Sequence, residues 1–305
     1  MKRTIVWVVL VGLAVWSGTT GDPPAAEALT PMPAAPSSVA LTTARATDRF
    51  ATAKGPLVVT PLNHASLLFG WDGRAIYVDP TSTAILDEKL PLADVIVVTE
   101  ARFDHLDGTA VRRLSRPGTV VVGPAAVAEA ARVDVVAGPG VRQEVGGTGI
   151  TLVPPNGYIL DFGGTRVYVS GDTRCPRDRA ALGSLDVAFV SVREPTSMSH
   201  AEAVECAEAL RPRVVFPYHD RGEDLGDLEK ALSPEGIDVR LRGFHARRDY
   251  WRLLAMKACS EGRWGNCRDD LDNARLLDPR IESDPAVVRA RAQVRAWEWP
   301  FPPWW

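Results

Sequence analysis

The chain has 305 residues, of which 46% are apolar and 24% charged, enough for one large globular domain or two small ones. A formal net charge of -3 and the lack of a dense Lys/Arg block argue against a nucleic-acid partner.

Lys2 and Arg3 precede an apolar run from Ile5 to Trp16, and Ala26-Glu27-Ala28 has the form of a cleavage site. Residues 1–28 therefore read as a signal peptide, and the mature chain is expected to be exported, periplasmic or extracellular. The alternative is an uncleaved anchor helix, though the run is short for a membrane span. Residues 29–52, rich in Pro, Ala, Ser and Thr, read as a linker, because such a segment cannot bury enough surface to offset its ordering entropy.

From residue 53 the pattern changes. Leu57–Thr60, Ala75–Val78, Val95–Val98, Thr119–Val122, Thr165–Ser170, Asp186–Ser191 and Arg213–Pro217 are short β-branched runs, most of them bounded by Gly, Pro, Asn or Asp. Helical stretches at Thr109–Leu114, Ala125–Ala131 and Ala201–Leu210 lie between them. Two sheets with helices on their outer faces account for this α/β alternation over residues 53–248.

Chemistry-bearing residues fall just after three of these strands. Val95–Val98 leads into Glu100, Arg102, Asp104 and His105; Val167–Ser170 into Gly171-Asp172-Thr173; Val214–Phe216 into Pro217-Tyr218-His219. A rigid sheet presents metal ligands in this way, and imidazole with carboxylate suits Zn²⁺ and similar divalent ions.

This spacing resembles the metallo-β-lactamase superfamily, whose signature is Thr-His-x-His-x-Asp-His after a strand, followed by Gly-Asp-Thr and a terminal Pro-x-His. Asn63-His64-Ala65-Ser66 with Asp79-Pro80, and the segment Pro195 to Ala203 around Met198, resemble its lactonase-like branch. Over about residues 55–245 the resemblance implies a four-layer αββα sandwich with its site at one edge.

The resemblance also exposes a departure. The family's first two histidines align with Glu100 and Arg102, and no histidine stands near Pro154-Pro155-Asn156-Gly157, where the third first-metal ligand would fall. The second-metal ligands carry over as Asp104, His105, Asp172 and His219. The expectation is one divalent ion, zinc by ligand type, held by these four. Arg102 cannot ligate a cation, because a guanidinium offers no acceptor; it would hold an anionic substrate group or a developing oxyanion. Glu100 would pair with Arg102 or act as a general base, and Asp104 is the third expected catalytic residue. Four protein ligands fill a tetrahedron, however, so catalysis requires an open position. Asp104 as a helix N-cap is the bland alternative. His64 is expected to order its loop or hydrogen-bond Asp79, and His200 and His245 to lie at the surface.

Four cysteines in an exported chain suggest disulfides. Cys259 with Cys267 is the favoured pair, leaving Cys175 with Cys206; a metal-ligand role for Cys175 is the other option. Residues 249–297 have helical period and resemble a single tetratricopeptide-like hairpin plus a third helix opened by Asp284-Pro285. One such unit must dock on the main domain or on a protein partner through residues 249–305. The aromatic tail, residues 298–305, is expected to pack on the domain; binding a partner or touching a membrane interface are its alternatives.

Two functions follow. One is an exported single-metal hydrolase acting on a small-molecule ester, lactone or phosphoester. The other is a catalytically inactive binding or scaffold protein that uses the helical C-terminus.

Overall fold

The computed structural model describes residues 47–298, apart from 86–89, 221, 243, 245–249 and 278. The expected signal peptide, most of the expected linker, His245 and all of the aromatic tail beyond Glu298 lie outside the described residues.

Two seven-stranded sheets form the centre. The first runs in chain order through β1 (Asp48–Thr52), β2 (Gly55–Asn63), β3 (Ser66–Trp71), β4 (Arg74–Val78), β5 (Val95–Val97), β6 (Val120–Gly123) and β7 (Val135–Val136). The second runs from β8 (Arg142–Val145) through β9 (Thr148–Val153), β10 (Gly157–Phe162), β11 (Thr165–Val169), β12 (Val187–Ser191) and β13 (Val214–Tyr218) to β14 (Asp238–Val239). Each sheet begins antiparallel and turns parallel, from β4 onward in the first and from β11 onward in the second.

Parallel neighbours need crossovers, and helices supply them. α1 (Ser82–Ile85), α2 (Gly108–Leu114) and α3 (Ala125–Ala130) cover the first sheet through Ala84, Ile85, Ala110, Leu114 and Val127. α4 (His200–Leu210) and α5 (Gly226–Leu232) cover the second through Ala203, Ala207, Leu228 and Leu232. Between the sheets lie Phe69, Trp71, Tyr158, Phe162, Phe189 and Phe216. The expected αββα sandwich is therefore what forms.

One sequence expectation needs revision here. β1 lies inside the segment read as linker and pairs along its whole length with β2, so the folded region starts at about Asp48. Asp48 is anchored there by Arg240 and Arg242 at 2.7–2.9 Å.

The C-terminal helices α6 (Tyr250–Ser260), α7 (Trp264–Leu277) and α8 (Pro285–Glu298) form as expected and share a core of Trp251, Leu254, Leu271, Val287 and Val294. They dock on the sandwich: Phe103, from the loop after β5, packs against this core with the Arg263 guanidinium 4.4 Å above its ring. Both expected disulfides are present, Cys259–Cys267 between α6 and α7 and Cys175–Cys206 between a loop and α4. Cys175 is thus no metal ligand.

Candidate metal centre

The site lies where the parallel strands of both sheets end. β4 delivers Asp79, β5 the loop with Glu100, Arg102, Asp104 and His105, β11 Asp172, and β13 His219. His64, Asp79 and His219 all hold left-handed backbone, at φ of 54°, 44° and 61°. Such conformations are costly for non-glycine residues and persist only where the surroundings over-determine them. Gly171, at φ 62°, is required for a further reason: a Cβ there would stand 3.0 Å from the Asn156 carbonyl oxygen.

His105 is the best-supported ligand. Its Nδ1 stands 2.8 Å from Asp79 Oδ2, and that carboxylate also accepts the Thr99 amide (2.7 Å) and hydroxyl (2.6 Å). A carboxylate on Nδ1 fixes the ring and aims Nε2 into the site. Nε2 then faces Glu100 Oε1 at 3.1 Å and Asp172 Oδ2 at 3.7 Å. Three buried atoms here, His105 Nε2, Glu100 Oε1 and Asp104 Oδ1, have no hydrogen-bond partner among the described residues. Buried polar atoms left unpaired are costly, and acceptors converging this closely call for a cation or proton between them. The donor set therefore fits a divalent ion.

The four expected ligands come together, but not as one shell. They divide into two triads that share His219: His105, Asp172 and His219, and His64, Asp104 and His219. His64, expected from the sequence to order its loop or hydrogen-bond Asp79, belongs to the second, with Nε2 3.5 Å from Asp104 Oδ2. Its expected partner Asp79 serves His105 instead. The N-cap of α2 is Asp107, so Asp104 is free of that structural role. His200 opens α4, after the Ser199 cap, and pairs with Asp227 at 2.8 Å, away from both triads.

Two arginines enter the site. Arg102 Nη1 lies 2.7 Å from Asp172 Oδ2 and 3.4 Å from Glu100 Oε1, and Nη2 lies 3.3 Å from Asp104 Oδ2. The second, Arg193, was missed in the sequence although its signal is the same as for the others, a charged residue just beyond an apolar strand. Its Nη1 is 3.4 Å from His219 Nε2 and 3.7 Å from Asp104 Oδ2. At the position lacking the family's third histidine, the Asn156 amide donates to Glu100 Oε2 at 3.4 Å.

Electrostatics follow from this crowding. Burial raises Glu100 to about 7, with His105 opposing. Burial works against the ionised forms of Asp104 and Asp172, but the neighbouring histidines outweigh it and hold both well below the usual carboxylate range. Burial likewise opposes charge on His105, yet Asp79 and Asp104 keep its pKa well above the ordinary value. Burial, with His219 and Arg193, lowers His64.

Beside Asp172 opens a cavity of about 970 Å³, lined by Pro154, Pro155, Thr173, Arg174, Cys175 and Arg177 among others. Such a volume accommodates a small molecule, and Arg174 and Arg177 give its wall a basic component.

An αββα sandwich whose paired strand ends gather imidazoles and carboxylates defines a metallohydrolase-type centre. The profile of a family described as the β-lactamase superfamily domain matches residues 58–219, and the chain belongs to the metallo-β-lactamase superfamily. An Archaeoglobus fulgidus protein named as a metal-dependent hydrolase is 28% identical over 221 residues, which is 60% of this chain and 94% of the relative. A crystal structure from Parabacteroides distasonis, whose name also places it with metal-dependent hydrolases, is 31% identical with a TM-score of 0.61; the match covers 65% of this chain and 98% of that one. Igni18, a metallo hydrolase from Ignicoccus hospitalis, shares the fold at 23% identity and TM-score 0.53, over 61% of this chain and 94% of its own.

Proposed function

We propose that this protein is an exported, single-metal hydrolase acting on a small-molecule ester, lactone or phosphoester. The observation that carries the reading is the buried Asp79–His105 pair, which aims an unpaired Nε2 at the carboxylates of Glu100 and Asp172. The names of the relatives support metal-dependent hydrolysis, and the two disulfides support an oxidising compartment.

His105, Asp172 and His219 would hold the ion. Three protein ligands leave a position open, as catalytic zinc sites do, so this set suits catalysis better than a closed shell of four. A divalent ion bound there supplies Lewis acidity. Glu100, raised toward neutrality, is placed to take a proton at Oε1. Arg102, whose side chain is 35% exposed, can turn from Asp172 toward the anionic group of a substrate seated in the adjoining cavity.

The competing reading, an inactive binding protein, draws on the ion pairs that Arg102 makes with Asp172, Asp104 and Glu100. Protein stripped of metal and reloaded with zinc should be assayed against ester, lactone and phosphoester panels beside His105→Ala. Zinc-dependent turnover lost in the variant supports the hydrolase. Absence of both turnover and bound zinc in the wild type would leave the binding protein.

A further inference from the structure

Two triads suggest two ions, but the second already holds a charge. Arg193 Nη1 lies 2.5 Å from His64 Nε2, 3.4 Å from His219 Nε2 and 3.7 Å from Asp104 Oδ2. One guanidinium nitrogen therefore addresses one atom of each residue in that triad. Arginine has only donors: the two N–H groups of Nη1 match two imidazole nitrogens acting as acceptors, with the Asp104 carboxylate as counter-charge beside them. It also cannot be deprotonated within a protein, so its charge is permanent.

Arg193 is also fixed from behind. Its backbone is tied on both sides, by its amide to the Met198 carbonyl (3.0 Å) and by the Ser197 amide to its own carbonyl (2.8 Å). Its guanidinium lies 5.4 Å from the ring centroid of Trp251, the second residue of α6. Trp251 is itself 1% exposed and also meets the His64 ring at 5.7 Å. Arg102 differs: its side chain is 35% exposed and can leave for solvent, whereas the side chain of Arg193 is 9% exposed.

We propose that Arg193 is a resident cation standing in for a metal ion at His64, Asp104 and His219, held there by Trp251 of the C-terminal helices. A divalent ion entering this triad would have to displace a guanidinium whose side chain is only 9% exposed and packs against Trp251. The triad then serves to position His219 for its neighbour, and the helical extension becomes part of the site. The matched family region ends at residue 219, so α6 is an addition to it.

The test is a count of ions. Wild-type protein equilibrated with excess Zn²⁺, and separately titrated with Co²⁺ under absorption spectroscopy, should take no more than one tightly held ion. Arg193→Ala should take one ion more than wild type, and His64→Ala in that background should lose it again. Arg193→Gln, which keeps a polar side chain in the pocket, serves if the alanine variant does not fold. Two tightly held ions in the wild type, or equal counts in wild type and a folded Arg193 variant, overturn the proposal. Its fate is separable from that of the hydrolase reading. A wild type without zinc whose Arg193 variant gains one ion sinks the hydrolase and keeps the resident cation; one ion in both does the reverse.

Discussion

Lys257 of α6 donates to the carboxylate of Asp107, the residue that caps α2. That carboxylate also accepts the amides of Thr109, Ala110 and Ser82, so one side chain joins the capping of α2, the start of α1 and the docking of the extension. Burial opposes its ionisation, but Lys257 and Ser82 prevail and lower its pKa. A depressed carboxyl contributes stability that is present above the unfolded value near 4 and is lost as pH falls through the folded one. Lys257→Met should destabilise by about 1–2 kcal/mol at pH 7, with a smaller difference at pH 3, read by urea unfolding at both. An equal loss at the two pH values would exclude an ionic link.

Asp79→Asn tests how His105 is oriented. The amide keeps the shape of the carboxylate but loses its charge, and such changes to the partner behind a ligating histidine lower metal affinity about 10–100-fold. Competition with a chromogenic chelator measures it. Unchanged affinity would mean that His105 is not a ligand.

Asp270 of α7 offers a pH test of the extension. Burial pushes its carboxyl up to about 7, with Arg193 and Arg263 opposing and Asp104 and Asp269 assisting. A carboxyl raised above its unfolded value contributes stability that is complete at about pH 4 and is lost as pH rises through 7. Asp270→Asn should therefore gain on wild type between pH 4 and pH 8, by up to about 2–4 kcal/mol. Thermal melts across that range would show the two proteins diverging, and parallel curves would refute it.

The two disulfides should differ in weight. Cys175–Cys206 closes a separation of 31 residues and Cys259–Cys267 one of 8. The chain-entropy relation gives about 3.7 and about 2.5 kcal/mol respectively. Paired Cys→Ser variants, melted under oxidising conditions, should reproduce that order. Non-reducing peptide mapping of the oxidised protein should recover both links.

The runs at 57–60, 75–78, 95–98, 165–170, 186–191 and 213–217 announced β2, β4, β5, β11, β12 and β13 because they are rich in β-branched residues and most are bounded by turn residues. β3 was harder, since Ser66–Trp71 is buried on both faces and shows no alternation. β1 was hidden by the polar composition around it. At the site, Asp104, His105, Asp172 and His219 could be placed because strand ends advertise them. Their division into two triads could not, for it depends on the His219 ring lying between two groups of ligands and on His64 entering from a different hairpin. Arg193 and Trp251 come from regions 58 residues apart in the chain, and only packing reveals that their rings and charges meet.

Docking through Phe103, His64 and Asp107 ties the C-terminal helices to the loops that carry the ligands. The extension therefore has no independent melting transition available to it without first disturbing the centre. Heat should unfold sandwich and helices together, and a protease that nicks the link between Arg242 and Tyr250 should leave two fragments that still travel as one particle until denaturant is added.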